Sequence, residues 1–223
     1  MHKQTVYIFI AAIALICCLS AAANYYPQVI QKEQINAGLE SLVLGNLPEY
    51  TLTEKAAFLN IASKRFTEAQ TGSVPVLQTL AKMYNEVSKA ELYWIEGSLL
   101  RDEAFGMISN GDLQSAQANF KEARKSYLAM QLHVSNIRTD LDYASLKPYY
   151  TLNKADVSAV KGGLENQAHE SVQFCNAMNT TLNGLQTNNT VQVQQGIGSL
   201  KELVGSTSYD SMAVGVISYF ENP

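Results

Sequence analysis

The most constraining feature of this chain is a stripe of ten apolar residues spaced alternately three and four positions apart. The stripe consists of Leu113, Ala116, Phe120, Ala123, Tyr127, Met130, Val134, Ile137, Leu141 and Ala144. An α-helix places residues with this spacing on one face. Asn110-Gly111-Asp112 supplies a helix stop followed by an N-cap, and Pro148 ends the segment. The stripe therefore predicts a long bundle helix over 113–144.

Capping residues, prolines and glycines predict further helices over 27–44, 51–72, 75–109, 153–186 and 190–204. A turn of two or three residues joins the helix of 75–109 to the striped helix, so these two must form an antiparallel hairpin. The apolar segment 209–220 is expected to be a last helix, because no partner strand is present. The sequence thus predicts an all-α fold, an antiparallel helical bundle with three long helices and shorter covering helices.

The first 23 residues have the pattern of an export signal. Lys3 precedes a continuous apolar run over 6–19, and Ala21 and Ala23 give the A-x-A pattern that a signal peptidase recognises. We expect cleavage after Ala23.

Two other interpretations of this leader remain open. Residues 6–23 reach the lower limit of length for an uncleaved transmembrane anchor, about 18 residues. Cys18 could carry a lipid, since Leu15 stands three places before it, although Cys17 occupies a position where a small residue is expected. Under all three interpretations 24–223 is an extracytoplasmic domain, because Lys3 holds the short N-terminus inside.

Charge and cysteine content narrow the function classes. The chain has 16 basic and 20 acidic residues, and removing Lys3 with the leader changes the net charge from −4 to −5. Nucleic-acid binding needs a basic stripe, so we expect no nucleic-acid partner.

Cys175 is the one cysteine outside the leader, which excludes an intramolecular disulfide after cleavage. Cys175 also lies on an apolar helical stripe and is expected to be buried and inert.

A search for catalytic and metal-binding patterns gives no catalytic residue, no metal site and no cofactor site. His133 and His169 belong to no metal-binding spacing. Glu165 and His169 stand four apart on one helix face, where we expect a surface pair that supports the helix. The sequence therefore does not predict an enzyme.

Two surface features are candidate sites. Leu128 and Leu132 stand four apart on the side of the striped helix that faces away from the stripe. We expect a shorter helix, such as 190–204, to cover them, so that Leu132→Ala would cost about 2 to 5 kcal/mol. The alternative is a patch that binds a protein partner.

Asn179 and Asn188 each begin an N-glycosylation sequence, and the second lies in a predicted loop.

One stretch resembles a known repeat family. Gly111-Asp112-Leu113, Ala116, Phe120 and Ala123 are similar to the second-helix half of a tetratricopeptide repeat, and Ala104 fits the small position of its first helix. Leu128 stands where the repeat has its closing proline, and no second copy follows at a period of about 34 residues. Membership would imply an adaptor that binds peptides on a concave face.

The expected function is a binding or structural role in an exported or membrane-anchored helical bundle. The membrane would be contacted through residues 6–23 if the leader is uncleaved. The alternatives are an extracytoplasmic sensor or carrier of a small ligand, since helical bundles hold ligands between their helices, and the tetratricopeptide-like adaptor.

Overall fold

The computed structural model describes residues 26–206 and 209–221, and within these ranges the chain forms α-helices and no strand. The predicted all-α class is confirmed. The leader of residues 1–23 lies outside the described residues. The helices are α1 (Tyr26–Asn46), α2 (Leu52–Ala69), α3 (Pro75–Ser109), α4 (Leu113–Ser135), α5 (Tyr143–Leu146), α6 (Lys154–Gln186), α7 (Thr190–Lys201) and α8 (Asp210–Glu221).

The chain divides into two compact units. Unit 1 contains the residues up to Ile95 together with Leu132–Glu165, and unit 2 contains Glu96–Gln131 together with the residues from Asn166 onward. The three long helices α3, α4 and α6 each contribute residues to both units. Over the two described ranges, no helix is both long enough and apolar enough to cross a bilayer.

Unit 1 begins with the helical hairpin of α1 and α2. The predicted capping box is present: Glu54 N–H donates to Thr51 Oγ1, and Thr51 N–H donates to Glu54 Oε2 at 2.8 Å. The buried side chain of Gln31 fixes the opposite end of the hairpin, since its Nε2 donates to the Ala69 carbonyl at 2.9 Å and its Oε1 accepts from Val74 N–H at 3.0 Å. The sequence-encoded caps and one long-range amide thus set the register of the hairpin.

The end of α4 differs from the prediction. The helix ends at Ser135 instead of continuing to Ala144, although Ile137 and Leu141 are still buried. Residues 136–142 contain three Asn or Asp side chains, which compete with helical hydrogen bonds. Asp142, for example, accepts a bond from Ser145 N–H and caps α5. Ile137 and Leu141 therefore reach the core of unit 1 from a loop, whereas Ala144, the last residue of the predicted stripe, is exposed in α5.

The core of unit 2 contains a cluster of aromatic rings. Phe120 meets Phe105 edge to face at 5.5 Å, and Phe174 stacks on Tyr209 at 4.8 Å. Phe120, Phe174 and Tyr209 are buried. Aromatic pairs of this kind stabilise by about 0.5–1.5 kcal/mol beyond the area they bury.

A glycine brings α7 close to α6 in unit 2. A methyl group at Gly196 would lie 2.7 Å from the backbone nitrogen of Thr181 and 2.9 Å from the Ala177 carbonyl oxygen. Contacts this short force the helices apart. Gly198 follows on the exposed side of α7, and a methyl group there would meet open space.

We therefore expect Gly196→Ala to lower the free energy of unfolding by about 1–3 kcal/mol, because overpacking outweighs the gain in helix propensity. Gly198→Ala is the matched control, and we expect it to stabilise by up to about 1 kcal/mol. Denaturant midpoints of the two variants measure the difference. Equal midpoints would contradict the close approach of α6 and α7.

Candidate functional site

An extensive set of interacting polar side chains in unit 2 surrounds Arg101, and we call it the Arg101 cluster. It consists of Ser98, Arg101, Asp102, Tyr127, Ser171 and Tyr209. Arg101 donates from Nε and Nη2 to one oxygen of Asp102 at 2.9 and 2.7 Å, and from Nη1 to Tyr209 Oη at 3.4 Å. Tyr209 Oη donates to Ser171 Oγ at 3.0 Å.

The remaining members of the Arg101 cluster also bond to each other. The hydroxyl oxygens of Ser98 and Tyr127 lie 3.3 Å apart, and both residues are fully buried. Burial raises the pKa of the Tyr127 hydroxyl, so it stays protonated. Buried polar groups that satisfy each other fix one arrangement of the core. The buried members of the cluster, which are Ser98, Tyr127, Ser171 and Tyr209, therefore form a scaffold for unit 2, whereas the side chain of Asp102 is half exposed.

Cys175 lies close to this cluster and is completely buried, as the sequence predicted. Burial raises the pKa of its thiol to about 12, although Arg101 and Arg124 oppose the shift. A thiol with this pKa is almost entirely protonated at neutral pH, and a protonated thiol is a poor nucleophile.

We expect Cys175 in the folded protein to react slowly with a thiol reagent and to react rapidly in denaturant. The rates can be followed by mass spectrometry of the labelled chain. Replacing the leader cysteines Cys17 and Cys18 by alanine makes Cys175 the single thiol that the reagent can label. Rapid labelling without denaturant would contradict the buried position.

Unit 1 contains a polar pair that the sequence analysis missed. His133 Nδ1 and Glu86 Oε2 are 2.8 Å apart, and the His133 ring stacks on Tyr93 at 5.3 Å with an interplanar angle of 12°. The pair joins α3 to α4 and is partly exposed. His169, the other histidine outside the leader, is exposed on α6. Glu165, which we expected to interact with His169, has its Oε1 atom 3.9 Å from Lys161 Nζ.

A buried ionisable residue in unit 1 is Glu91 on α3. Its exposed fraction is 5%, and that of Lys55 on α2 is 9%. Burial raises the pKa of Glu91 to about 7, and the positive charge of Lys55 limits the rise. Sequence reasoning could have found this residue, because Glu91 stands four positions after Val87 and four before Ile95 on the buried face of the helix.

Unit 1 also contains an apolar cavity of about 30 Å³, lined by residues that include Leu39, Leu42, Met83 and Val157. A cavity that accepts benzene is about 150 Å³ in volume. The cavity of unit 1 is therefore large enough for a methyl-sized group and too small for a metabolite.

The surface sites that the sequence suggested, the leucine pair on α4 and the two glycosylation sequences, differ in their exposure to solvent. Leu128 and Leu132 are 37% and 61% exposed, so the expectation that a shorter helix covers them is wrong. The buried residues of α7 are instead Gly196, Ile197 and Leu200. Asn188 is exposed in the turn between α6 and α7, whereas Asn179 lies inside α6.

Metal-ligating side chains are dispersed over the fold. In the part of the chain that the structure describes, no three His, Cys, Asp or Glu side chains come together as metal ligands.

Ala116, Phe120 and Ala123, on which the tetratricopeptide resemblance rests, are buried in unit 2. A comparison of the chain with protein-family models, curated proteins and solved structures finds no match.

Proposed function

We propose that this chain is an exported or membrane-anchored protein that acts by binding a macromolecular partner or as a structural element. The observation that carries this proposal is the filling of both cores by the chain's own side chains. In unit 2 the buried members of the Arg101 cluster and the aromatic rings around Phe120 occupy the interior. In unit 1 the apolar cavity of about 30 Å³ accepts a methyl-sized group, and a larger cleft of about 430 Å³ beside Pro75, Thr79 and Ser145 lies open to solvent. Binding at the surface fits such cores better than binding of a ligand between helices.

The sequence of the leader supports export. Lys3, the apolar run of 6–19 and the small residues Ala21 and Ala23 form the three parts of a signal peptide. The low content of charged residues, 16%, suits an exported protein and also suits a surface that meets another macromolecule.

Native mass spectrometry of the full protein, isolated from its own cells after chemical crosslinking, tests the binding role. We expect crosslinks to a second polypeptide, either another protein or a second copy of this chain. We also expect that the isolated chain retains no small molecule. A small molecule bound in equal amount to the protein would reject this proposal and favour a carrier.

The intact mass of the same material tests export. We expect a chain that begins at Asn24. A chain that begins at Met1, or one with a lipid on Cys18, would replace cleavage by anchoring. A full-length chain in the cytoplasmic fraction would contradict export.

A further inference from the structure

Two Asn-x-Thr sequences occur in the described chain, and the fold places them in opposite settings. Asn179-Thr180-Thr181 lies within α6, and Asn188-Asn189-Thr190 spans the turn from α6 to α7. This sequence pattern is the acceptor for N-linked glycans. An acceptor must present both its asparagine and its hydroxyl residue to the transferase, so the surroundings of each residue decide between the two sites.

The sequence at Asn179 is closed by packing. The Oδ1 atom of Asn179 is buried without a hydrogen-bond partner in the described chain, and the Asn179 carbonyl accepts from Gln117 Nε2 at 3.3 Å. Thr181 is completely buried, and its hydroxyl donates to the Ala177 carbonyl at 3.0 Å. Gly196 of α7 packs directly on Thr181. A transferase cannot reach the Thr181 hydroxyl in the folded chain.

The sequence at Asn188 is open. Asn188 has a φ of 51°, the left-handed conformation that asparagine adopts more readily than most residues. Its N–H donates to the Leu185 carbonyl at 3.3 Å, and Asn189 N–H donates to the Gly184 carbonyl at 2.7 Å. These two bonds form a Schellman motif that ends α6. They use only backbone groups, and the Asn188 side chain is exposed to solvent.

The two following residues keep the site accessible. Asn189 is occupied as the N-cap of α7, where its Oδ1 accepts from Gln192 N–H at 3.2 Å. Thr190, which supplies the hydroxyl of the acceptor sequence, is exposed at the first position of α7. The turn therefore presents both the asparagine and the threonine on the surface.

We propose that Asn188 carries an N-linked glycan and that Asn179 does not. This inference rests on the proposed export, because the lipid-linked sugar donor and its transferase act on exported chains. In the transfer, Asn188 Nδ2 attacks the anomeric carbon of the sugar. The new N–C bond forms as the bond from that carbon to the lipid phosphate oxygen breaks. The lipid phosphate leaves with the electron pair, and the Nδ2 proton passes to a base of the transferase.

Glycopeptide mapping of the protein isolated from its own cells tests the proposal. We expect a glycan on the peptide that contains Asn188 and none on the peptide that contains Asn179. An amidase that releases N-linked glycans leaves aspartate at the modified position and so identifies it. Asn188→Gln and Thr190→Ala are expected to abolish the modification, whereas Asn179→Gln, the matched control, is expected to retain it.

An exported chain with an unmodified Asn188, or one with a glycan on Asn179, would overturn the proposal. A full-length chain in the cytoplasmic fraction would instead contradict export. In that case the same chain behind a foreign signal peptide, in a host that performs N-glycosylation, tests the acceptor by itself. An unmodified Asn188 in that secreted protein would again overturn the proposal.

Discussion

Phe120→Ala is expected to lower the free energy of unfolding by about 3–5 kcal/mol. Phe120 is completely buried in unit 2 and meets Phe105 edge to face at 5.5 Å. Removing its ring leaves a cavity among the remaining aromatic side chains, which then lose their contacts with it. The midpoint of denaturant unfolding of the full chain measures this loss.

Leu132→Ala is the control for this substitution, since it truncates an apolar side chain on the same helix. Leu132 is 61% exposed, so we expect a change within about 0.5 kcal/mol. This value replaces the larger loss that the sequence alone indicated. A small effect at Phe120, or a loss at Leu132 as large as that at Phe120, would show that the buried face of α4 is assigned incorrectly.

Glu91→Gln is expected to remove a large pH dependence of stability. The pKa of Glu91 is raised from 4.5 to about 7 by burial, so the folded protein holds this proton more tightly than the unfolded chain does. The resulting stabilisation is fully present below about pH 4.5 and is lost as the pH rises through about 7. The loss amounts to about 3 kcal/mol, at about 1.4 kcal/mol for each unit of pKa shift.

Denaturant midpoints measured from pH 5 to pH 8 test this prediction. We expect the stability of the wild type to fall over this range and that of Glu91→Gln to fall less, because glutamine stays neutral. Glu96→Gln, which changes an exposed glutamate on the same helix, is the control and should keep the wild-type slope. An unaltered slope in Glu91→Gln would show that other groups cause the pH dependence.

The extent of the helices was largely predictable because a period of 3.6 residues and the capping residues are local signals. Asn153 shows this, since its Oδ1 accepts from Asp156 N–H at 2.9 Å and caps α6 as predicted. The end of α4 was not predictable from the stripe, because Ile137 and Leu141 keep the helical spacing while lying in a loop. Apolar spacing reports burial, and here burial continues after the helix has ended.

The contact between Glu86 and His133 was beyond the reach of the sequence. Glu86 and His133 lie 47 positions apart, and their contact depends on how far one helix slides along the other. Periodicity gives each helix its buried face and leaves that displacement undetermined. The exposure of Asn188 could be predicted from the sequence, because it depends on a local turn. The burial of the acceptor sequence at Asn179 could not, because it depends on where Gly196 of α7 packs on α6.

Tyr209 has a consequence for the order in which the protein is made. Its hydroxyl bonds to Arg101 and Ser171, which are synthesised 108 and 38 residues earlier, and its ring stacks on Phe174. Until the ribosome has passed residue 209, the Arg101 guanidinium and the Phe174 ring each lack a neighbour. Unit 2 must therefore finish folding after residue 209 has been synthesised, and a chain interrupted before that point would present an apolar ring that chaperones and proteases recognise.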